Sequence, residues 1–370
     1  MMNSFVLISF LILLNIQISH SRALTRQKTE LKEEKTLEID EKDAETVDID
    51  IEPITENFGV IAYEEFPFPT DVFFITFRNL KINYTIILPT PNGICPQETK
   101  MFVFVPSRAD GFFPRHMIRN SWGANWVWIF VIVLKFIVGW PQEQQVYELM
   151  QEELIKFDDL IIYDIDDSYR NLYLKVYVAF QWQQIFCSNT QYILKTDDDT
   201  IVDFDRLLWW IDNDFAHRVA KYPASVFGGM IKKSTPIRNQ DHRWYVSPVD
   251  FPNPIFPHYA NGPTYLLTSK AVQAIMNATD NVHAFPIEDV LYTGILANLA
   301  NVKKFSVWEH FKLGKHLYLH EKCKVEKKSG KRIPYVTAIN GISDPSGIKI
   351  AYERLHSVEC TPWSNQKKRF

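Results

Sequence analysis

Three consecutive carboxylates offer the clearest chemistry in this 370-residue sequence. Asp197, Asp198 and Asp199 directly follow an apolar run at residues 192–194, which predicts a strand that ends in an acidic turn. Adjacent carboxylates repel one another, so the arrangement favours a bound divalent cation, and oxygen ligands suit Mg²⁺ or Mn²⁺. In open α/β sheets, ligands bind beyond the carboxyl ends of the strands. From these residues alone, an acidic turn that caps the next helix is an equally good interpretation.

Basic residues on a predicted helix could supply an anion-binding surface for the same site. Arg115 and Arg119 follow Ser107 and the first predicted strand, and their i, i+4 spacing places them on one helix face. They could contact a diphosphate or the acidic triplet. A surface ion pair is the alternative, and it is the default interpretation for two such residues in isolation.

The common glycine-rich phosphate loops are absent from the sequence. None of the 13 glycines falls into a G-x-G-x-x-G or a G-x-x-x-x-G-K-[ST] pattern. A bound nucleotide would need another phosphate grip, and a cation on the triplet could provide it. The net charge of −4 gives no electrostatic basis for nucleic-acid binding.

The N-terminal residues indicate entry into the secretory pathway. Residues 5–18 are apolar, and residues 1–21 are predicted to form either a signal peptide cleaved after Ser21 or an uncleaved signal anchor. Basic residues follow this run rather than precede it, which does not favour a cytoplasmic N-terminus. Residues 22–90 are predicted to be an acidic stalk and linker. Sequons at Asn83 and Asn277 fit exposure to the lumen.

The four cysteines are far apart, at Cys95, Cys187, Cys323 and Cys360, and form no C-x-x-C pair. This spacing argues against a zinc site and is compatible with disulfides in a secreted protein. We expect at least one disulfide and prefer Cys95–Cys187, although the sequence does not fix the connectivity.

From about residue 95, strand patterns alternate with helix patterns. This alternation predicts an α/β domain with a mostly parallel sheet, which we place at residues 91–370 as a single catalytic domain. Predicted strands cover residues 100–106, 126–138, 160–163 and 192–194. Predicted helices include residues 114–122, 144–154, 172–186 and 204–211.

Five motifs occur in an order that resembles one enzyme family. They are R-H-M-I-R-N-S-W-G at 115–123, D-S-Y-R-N-L-Y-L-K at 167–175, K-T-D-D-D at 195–199, G-P-T-Y-L-L-T at 262–268 and E-D-V-L-Y-T-G at 288–294. Each motif alone is weak, but together they are specific. Over about residues 95–355, the sequence is similar to the β-1,3-glycosyltransferases of the galactosyltransferase family, glycosyltransferase family 31.

The resemblance implies a GT-A-type fold, with a mostly parallel, Rossmann-like sheet flanked by helices. It implies an inverting β-1,3-hexosyltransferase that moves Gal, GlcNAc or GalNAc from a UDP-sugar donor to a glycan acceptor on a glycoprotein or glycolipid. It further implies a type II Golgi membrane protein with a lumenal catalytic domain, held through the N-terminal segment if that segment is uncleaved. A secreted form is the alternative.

The resemblance also assigns donor-side roles. Asp199 is the expected main ligand of Mn²⁺ or Mg²⁺, and Asp197 is expected near the ion or the ribose. The remaining donor-binding candidates are Asp198, Arg115, Arg119 and Lys195, of which the three basic residues are expected to line the donor phosphates.

On the acceptor side, the resemblance implies that Asp289 is the general base. One positioned carboxylate suffices to take the acceptor's proton in a single displacement. Asp289 precedes a helical pattern at residues 290–299, and a helix start favours the ionised carboxylate. A helix N-cap without a catalytic part is the alternative. Further acceptor-binding candidates are Glu288, Gly262 and Tyr265, although Tyr265, like Trp209 and Trp210, fits the core better than a sugar platform.

One departure from the family pattern leaves room for other functions. Asn340 stands where the family commonly places a histidine near the metal. A catalytically inactive relative that binds a glycan or a client protein is therefore the main alternative. A glycoside hydrolase, which also needs two carboxylates, is a third hypothesis, but it does not need an acidic triplet or an arginine pair.

Overall fold

Strands and helices alternate along the part of the chain that the computed structural model describes, namely residues 72–87, 95–124, 131–313, 320–326 and 329–360. All of these residues belong to one compact unit, Glu65–Phe370. The predicted signal segment at residues 1–21 and the most acidic part of the predicted stalk lie outside the described residues.

The strands in chain order are β1 (Val72–Phe77), β2 (Leu80–Ile87), β3 (Met101–Pro106), β4 (Ile132–Trp140), β5 (Leu160–Asp166), β6 (Tyr192–Thr196), β7 (Ile201–Val202), β8 (Ser225–Ile231), β9 (Tyr259–Thr268), β10 (Lys303–Ser306), β11 (Phe311–Leu313), β12 (His320–Glu321), β13 (Cys323–Val325), β14 (Arg332–Pro334), β15 (Ala338–Asn340) and β16 (Glu359–Cys360). The α-helices are α1 (Phe112–Arg119), α2 (Gln144–Phe157), α3 (Leu172–Phe186), α4 (Phe204–Trp210), α5 (Ala216–Lys221), α6 (Ser269–Met276), α7 (Ala297–Leu299) and α8 (Ile348–His356). Wider π-helical turns at Ile211–Phe215 and Val290–Leu296 lead into α5 and α7.

The main sheet has the order β1-β2-β5-β4-β3-β6-β9-β8-β10. Its four central strands, β5, β4, β3 and β6, pair in parallel. Only β2 and β9 run against the common direction within this sheet of described strands. The predicted α/β fold with a mostly parallel sheet is confirmed.

Apolar residues cover both faces of this sheet, as expected for parallel strands between helices. In β3, Phe102 and Phe104 belong to one core, whereas Met101, Val103 and Val105 belong to the other. Helices α3 and α6 pack on the first face, and helices α1, α2, α4 and α8 pack on the second. Every residue of β3 is buried, so polar chemistry is confined to the ends of the strands.

The sheet begins earlier than the sequence predicts. Strands β1 and β2 form an antiparallel hairpin, and β2 pairs with β5, although this segment lies within the predicted stalk and linker at residues 22–90. In β1, Phe73, Ile75 and Phe77 are buried, while Val72 and Phe74 on the other face are exposed. This alternation is typical of an edge strand. Within the described residues, the fold therefore begins at Val72 rather than at residue 91.

Two disulfides join the described cysteines. The preferred pair Cys95–Cys187 is confirmed, and it connects the segment before β3 to the end of α3. A second disulfide, Cys323–Cys360, connects β13 to β16. Helices within the described ranges are all too short or too polar to cross a membrane.

Candidate active site

The acidic triplet lies at the carboxyl end of β6, as predicted. Thr196 ends the strand, and the backbone N–H of Asp197 donates to the Pro263 carbonyl in β9 (3.0 Å). Burial, followed by the charges of Asp197 and Asp199, raises the pKa of Asp198 to about 6. Burial and then the charge of Asp197 also raise the pKa of Asp199. The three carboxylates therefore repel one another in the folded protein.

A loop after β15 holds Asp199 in place. The backbone N–H of Gly341 donates to the Asp199 carboxylate, and the N–H of Ile342 donates to the Asp199 carbonyl (2.8 Å). Gly341 has a φ of 79°, in the left-handed region that glycine tolerates best. Asn340 is buried beside this loop, and its Oδ1 accepts hydrogen bonds from the hydroxyls of Thr200 (3.1 Å) and Thr264 (2.5 Å). Asn340 is thus part of the protein's internal hydrogen bonding.

The triplet could hold a divalent cation through few protein ligands. Within the described ranges, no three His, Cys, Asp or Glu side chains are grouped so as to enclose a metal ion. Mg²⁺ commonly uses one or two carboxylates together with water and substrate phosphates, and Asp197 and Asp199 could provide such a set. The Asp197 side chain is 34% exposed, so it is open to ligands from solvent. A cation would also relieve the repulsion within the triplet.

Lys195 connects the acidic triplet to a second carboxylate centre. Its Nζ lies 2.5 Å from Asp197 Oδ1, 3.2 Å from Glu288 Oε1 and 2.7 Å from the Gly262 carbonyl oxygen. Burial lowers the pKa of Lys195, but the charges of Asp197 and Glu288 outweigh this effect and raise it. An ammonium group has three N–H donors, so these three acceptors occupy all of them. The expected contact of Lys195 with a donor phosphate is therefore not supported by its position.

Asp289 lies at the start of a helical segment, as predicted. Its Oδ1 accepts from the backbone N–H of Val290 (2.8 Å), and the backbone N–H of Gly262 also donates to the carboxylate. Burial, followed by the charge of Glu288, raises the pKa of Asp289 to about 7. Gly262 permits this approach, because a Cβ there would lie 3.1 Å from Asp289 Oδ2. A carboxylate with this pKa can accept a proton near neutral pH.

Glu288 and Tyr265 are buried partners rather than surface groups. The Tyr265 hydroxyl donates to Glu288 Oε2 (2.8 Å), and Lys195 is paired with the other carboxylate oxygen. Tyr265 is fully buried and Glu288 is 4% exposed. Their predicted contact with an acceptor sugar is not supported by this burial, and Tyr265 takes the alternative place in the core. Both residues instead fix the position of the segment that carries Asp289.

Arg115 shares a helix face with Arg119, as predicted, but it does not face the triplet directly. It is fully buried, and its Nε and Nη2 donate to Glu153. Its remaining N–H groups have acceptors in Ala109 and Arg108 carbonyls and in the Ser107 hydroxyl. All five N–H donors of the guanidinium are thus occupied. The expected contact of Arg115 with a diphosphate is not supported by these contacts, because no donor is left for it.

Arg119 also forms ion pairs within the protein. It donates to both oxygens of Asp159 (2.7 Å each) and to Glu153 Oε1 (2.6 Å), and its side chain is 12% exposed. Its guanidinium also lies 4.1 Å from the centre of the Phe157 ring. These contacts fit the alternative interpretation of an ion pair, although the pair is buried rather than on the surface.

A cavity of about 470 Å³ lies elsewhere, between α4 and the segment after β10. Trp210, Trp308, His310 and Tyr335 are among its lining residues, and no member of the triplet or its neighbours lines it. Burial lowers the pKa of His310 to about 3, so this histidine is a neutral core residue. Trp210 is buried, which confirms its predicted place in the core.

Sequence patterns missed the partners that come from distant elements. Glu153 lies on α2 and Asp159 directly before β5, and nothing in the local sequence pairs them with arginines on α1. No sequence pattern indicated a role for Gly341 either, since that role depends on the pairing of β15 with β7 beside the triplet. Ser107 had a weak signal, because it directly follows a buried strand at the edge where ligands bind.

The chain matches the model of a known protein family. The family model described as galactosyltransferase matches residues 114–307, which is more than half of the chain. This range includes Arg115, the acidic triplet, Gly262 and Asp289.

The similar proteins with curated names are named for the transfer of galactose or N-acetylgalactosamine. The chain is 25% identical over 248 residues to beta-1,3-galactosyltransferase 1 of Mus musculus, a match that covers 64% of this chain and 74% of that protein. The Homo sapiens protein of the same name matches to the same extent. UDP-GalNAc:beta-1,3-N-acetylgalactosaminyltransferase 1 of Mus musculus is 29% identical over 212 residues, which covers 56% of this chain and 62% of that protein. Among solved structures, S. aureus TarS 1-349 matches 56% of this chain and 58% of that chain, with 14% identity and a TM-score of 0.31.

Proposed function

This chain belongs to the galactosyltransferase family and is a glycosyltransferase of the hexosyltransferase type, and we propose that it forms a β-1,3 linkage with inversion, using a UDP-sugar donor. Gal, GlcNAc and GalNAc are the candidate sugars, and the names of the similar proteins, which include galactosyl and N-acetylgalactosaminyl transfer, support Gal and GalNAc. The acceptor is a glycan on a glycoprotein or a glycolipid.

This proposal rests on the contacts that connect two groups of carboxylates, the acidic triplet and the pair Glu288 and Asp289. Lys195 touches Asp197 on one side and Glu288 on the other, and the Gly262 backbone contacts both Lys195 and Asp289. A charged donor group at the triplet and a proton-accepting group at Asp289 would thus lie in one site. A non-catalytic glycan-binding protein has no need of a carboxylate whose pKa lies near 7 beside such a triplet.

In the proposed reaction, the acceptor hydroxyl attacks the anomeric carbon of the donor sugar. The new carbon–oxygen bond forms as the bond to the diphosphate breaks, and Asp289 takes the hydroxyl proton. Val290 and Gly262 orient the Asp289 carboxylate through their N–H groups. Asp197 and Asp199 would hold a divalent cation, whose charge would offset the charge that develops on the departing diphosphate. The ion pair of Lys195 with Glu288 keeps the acidic triplet and the Asp289 segment next to each other.

We also propose that the domain works in the lumen of the secretory pathway, as a Golgi protein. Two disulfides support an oxidising compartment. The sequon residues Asn83 and Asn277 are exposed, which is compatible with glycosylation. Attachment to the membrane would depend on residues 1–21.

Transfer assays with UDP-Gal, UDP-GlcNAc and UDP-GalNAc test this function directly. In the presence of Mn²⁺, one of the three donors should be hydrolysed slowly in water and consumed faster when glycan acceptors are added. NMR of the product would establish the linkage and the inversion. Absence of both hydrolysis and transfer for all three donors, in folded protein, would favour the inactive relative.

UDP is expected to bind only together with Mn²⁺ or a similar cation. The physical reason is that the triplet repels a diphosphate, while Lys195 and Arg115 have their donors occupied within the protein and Arg119 is paired with Asp159 and Glu153. Calorimetric titration with UDP in Mn²⁺ and then in EDTA measures this dependence. Equal affinity in both buffers would remove the cation from the donor site.

The pH dependence of kcat/KM should report the ionisation of Asp289. The base must be deprotonated to work, and burial raises its pKa to about 7, so activity should fall about tenfold per pH unit below neutrality and level off above it. The residual activity of Asp289→Asn should lack this inflection. An inflection that persists in this variant would instead point to Asp198, whose pKa is raised to about 6.

A further inference from the structure

The loop at residues 107–111, which follows β3, touches the acidic triplet through one hydroxyl. Ser107 Oγ lies 3.3 Å from Asp198 Oδ2, and Ser107 is 2% exposed. A serine hydroxyl has one proton and two lone pairs. Arg115 Nη1 donates to one of these lone pairs (3.2 Å), so the proton is free to be donated to Asp198. A continuous hydrogen-bonded path thus runs from Arg115 through Ser107 to Asp198.

Two buried charged groups of the motif at 167–175 hold the same loop. Lys175 forms an ion pair with Asp167 (2.6 Å), and its ammonium also donates to the Ser107 carbonyl. Asp167 Oδ2 accepts from the backbone N–H of Ala109 (2.6 Å). The Lys175 and Asp167 side chains are 5% and 8% exposed. These contacts fix the backbone on both sides of the Ser107 hydroxyl.

The space around the Ser107 hydroxyl is also kept open. A Cβ at Gly111 would lie 2.8 Å from Ser107 Oγ and 3.2 Å from Arg115 Nη1. Any larger residue at position 111 would therefore displace the hydroxyl or the guanidinium.

We propose that Ser107 and Arg115 are positioning residues that orient the Asp198 carboxylate within the donor site, with Arg115 acting through Ser107. This inference rests on the proposed function only in placing the donor at the triplet. Asp198 is crowded by two like charges, and Ser107 supplies the neutral donor that selects one orientation of its carboxylate. A change in that orientation moves charge within the triplet, and donor binding weakens as a result.

Ser107→Ala tests the first link. Loss of a hydrogen bond in the outer shell of a metal site commonly costs 10- to 100-fold in affinity or activity. Asp198 lies between the proposed ligands Asp197 and Asp199, so the affinity for UDP in the presence of Mn²⁺ should fall by about that factor. Ser107→Thr keeps the hydroxyl and should restore most of the affinity. Ser225→Ala is the matched control, because Ser225 is also buried and its hydroxyl donates only to the Tyr222 carbonyl. A merely structural role predicts equal losses of Tm in both alanine variants and unchanged UDP affinity.

The second link is tested by a double-mutant cycle. Arg115→Lys keeps a positive charge beside Glu153 but loses the fork that reaches Ser107. If Arg115 acts through Ser107, Arg115→Lys should weaken UDP binding, and the double variant should bind no more weakly than Ser107→Ala alone. Additive losses would overturn the relay, and so would a Ser107→Ala variant with wild-type affinity.

Calorimetric binding separates this inference from the proposed function. Wild-type protein that binds UDP with Mn²⁺ but transfers no sugar would contradict the function and leave the relay testable by affinity. Wild-type protein that transfers sugar while Ser107→Ala retains full affinity and kcat/KM would contradict the relay alone. Wild-type protein that binds no UDP would overturn both.

Discussion

Replacement of Asp289 by Asn is expected to lower kcat by about 10²- to 10⁴-fold, the usual contribution of a general base. The substitution keeps the size of the side chain and removes its basicity. Asn can still accept the hydrogen bond from the Val290 N–H, and Asn and Asp are about equally good at helix starts. The Tm of the variant should therefore stay close to that of the wild-type protein, and UDP affinity in Mn²⁺ should hardly change.

Glu288→Gln is the informative control, since Glu288 lies next to Asp289 and differs in its contacts. It pairs with Lys195 and accepts from the Tyr265 hydroxyl, so the neutral amide leaves a buried ammonium without one of its counter-charges. This variant should lose stability, which a thermal melt would show, whereas Asp289→Asn should lose turnover. If Asp289→Asn keeps near wild-type kcat, the base assignment fails and Glu288 becomes the candidate.

The contrast between these two neighbours illustrates what the sequence could predict. The pattern after Pro286 correctly placed Asp289 at a helix start, because the signal lies in adjacent residues. The burial of Glu288 depends on the pairing of β6 with β9, which brings Lys195 opposite Tyr265. Strand pairing joins residues that are 70 positions apart, and no local pattern contains it.

The arginines show the same limit. Their i, i+4 spacing correctly predicted a shared helix face, whereas a role close to the donor site stays a prediction. Their partners, Glu153 and Asp159, are supplied by the packing of α2 and β5 against α1. Charge and spacing therefore predicted which face of α1 carries the two arginines. Whether these arginines bind an anionic ligand or a buried carboxylate could be read only from the tertiary structure.

Secondary structure was predicted most accurately where the apolar runs were long. Helix α3 was predicted at its observed bounds, β3 and β6 were each predicted to within a few residues, and β4 ends within a few residues of its predicted end. The hairpin of β1 and β2 was missed because only alternate residues are buried there and the segment follows an acidic stretch. A half-exposed edge strand carries a weaker hydrophobic signal than a central parallel strand.

Replacement of Asp199 by Asn should abolish most of the transfer activity without unfolding the protein. A cation beside a departing diphosphate would commonly supply several kcal/mol of charge stabilisation, which corresponds to about 10²- to 10³-fold in rate. The amide oxygen of Asn can still accept from the Gly341 N–H or the Thr200 hydroxyl. A change at Asp197 would be harder to interpret, because it would also leave Lys195 with one carboxylate partner fewer.

The stability of the metal-free Asp199→Asn variant should equal or exceed that of the wild-type protein. Burial and the charge of Asp197 raise the pKa of Asp199, so the native state binds this proton more tightly than the unfolded state does. The stability linked to this group is present at low pH and is lost as the pH rises above its unfolded value, so the ionised carboxylate destabilises the fold at pH 7. A neutral amide removes that cost.

Thermal melts should show a higher Tm for wild-type protein with Mn²⁺ and UDP, and no such rise for Asp199→Asn. Asp205→Asn, an exposed change in the first turn of α4, should keep both the rise and the activity. If Asp199→Asn retains the Mn²⁺-dependent rise in Tm, the cation is held elsewhere, and the triplet loses its assigned role.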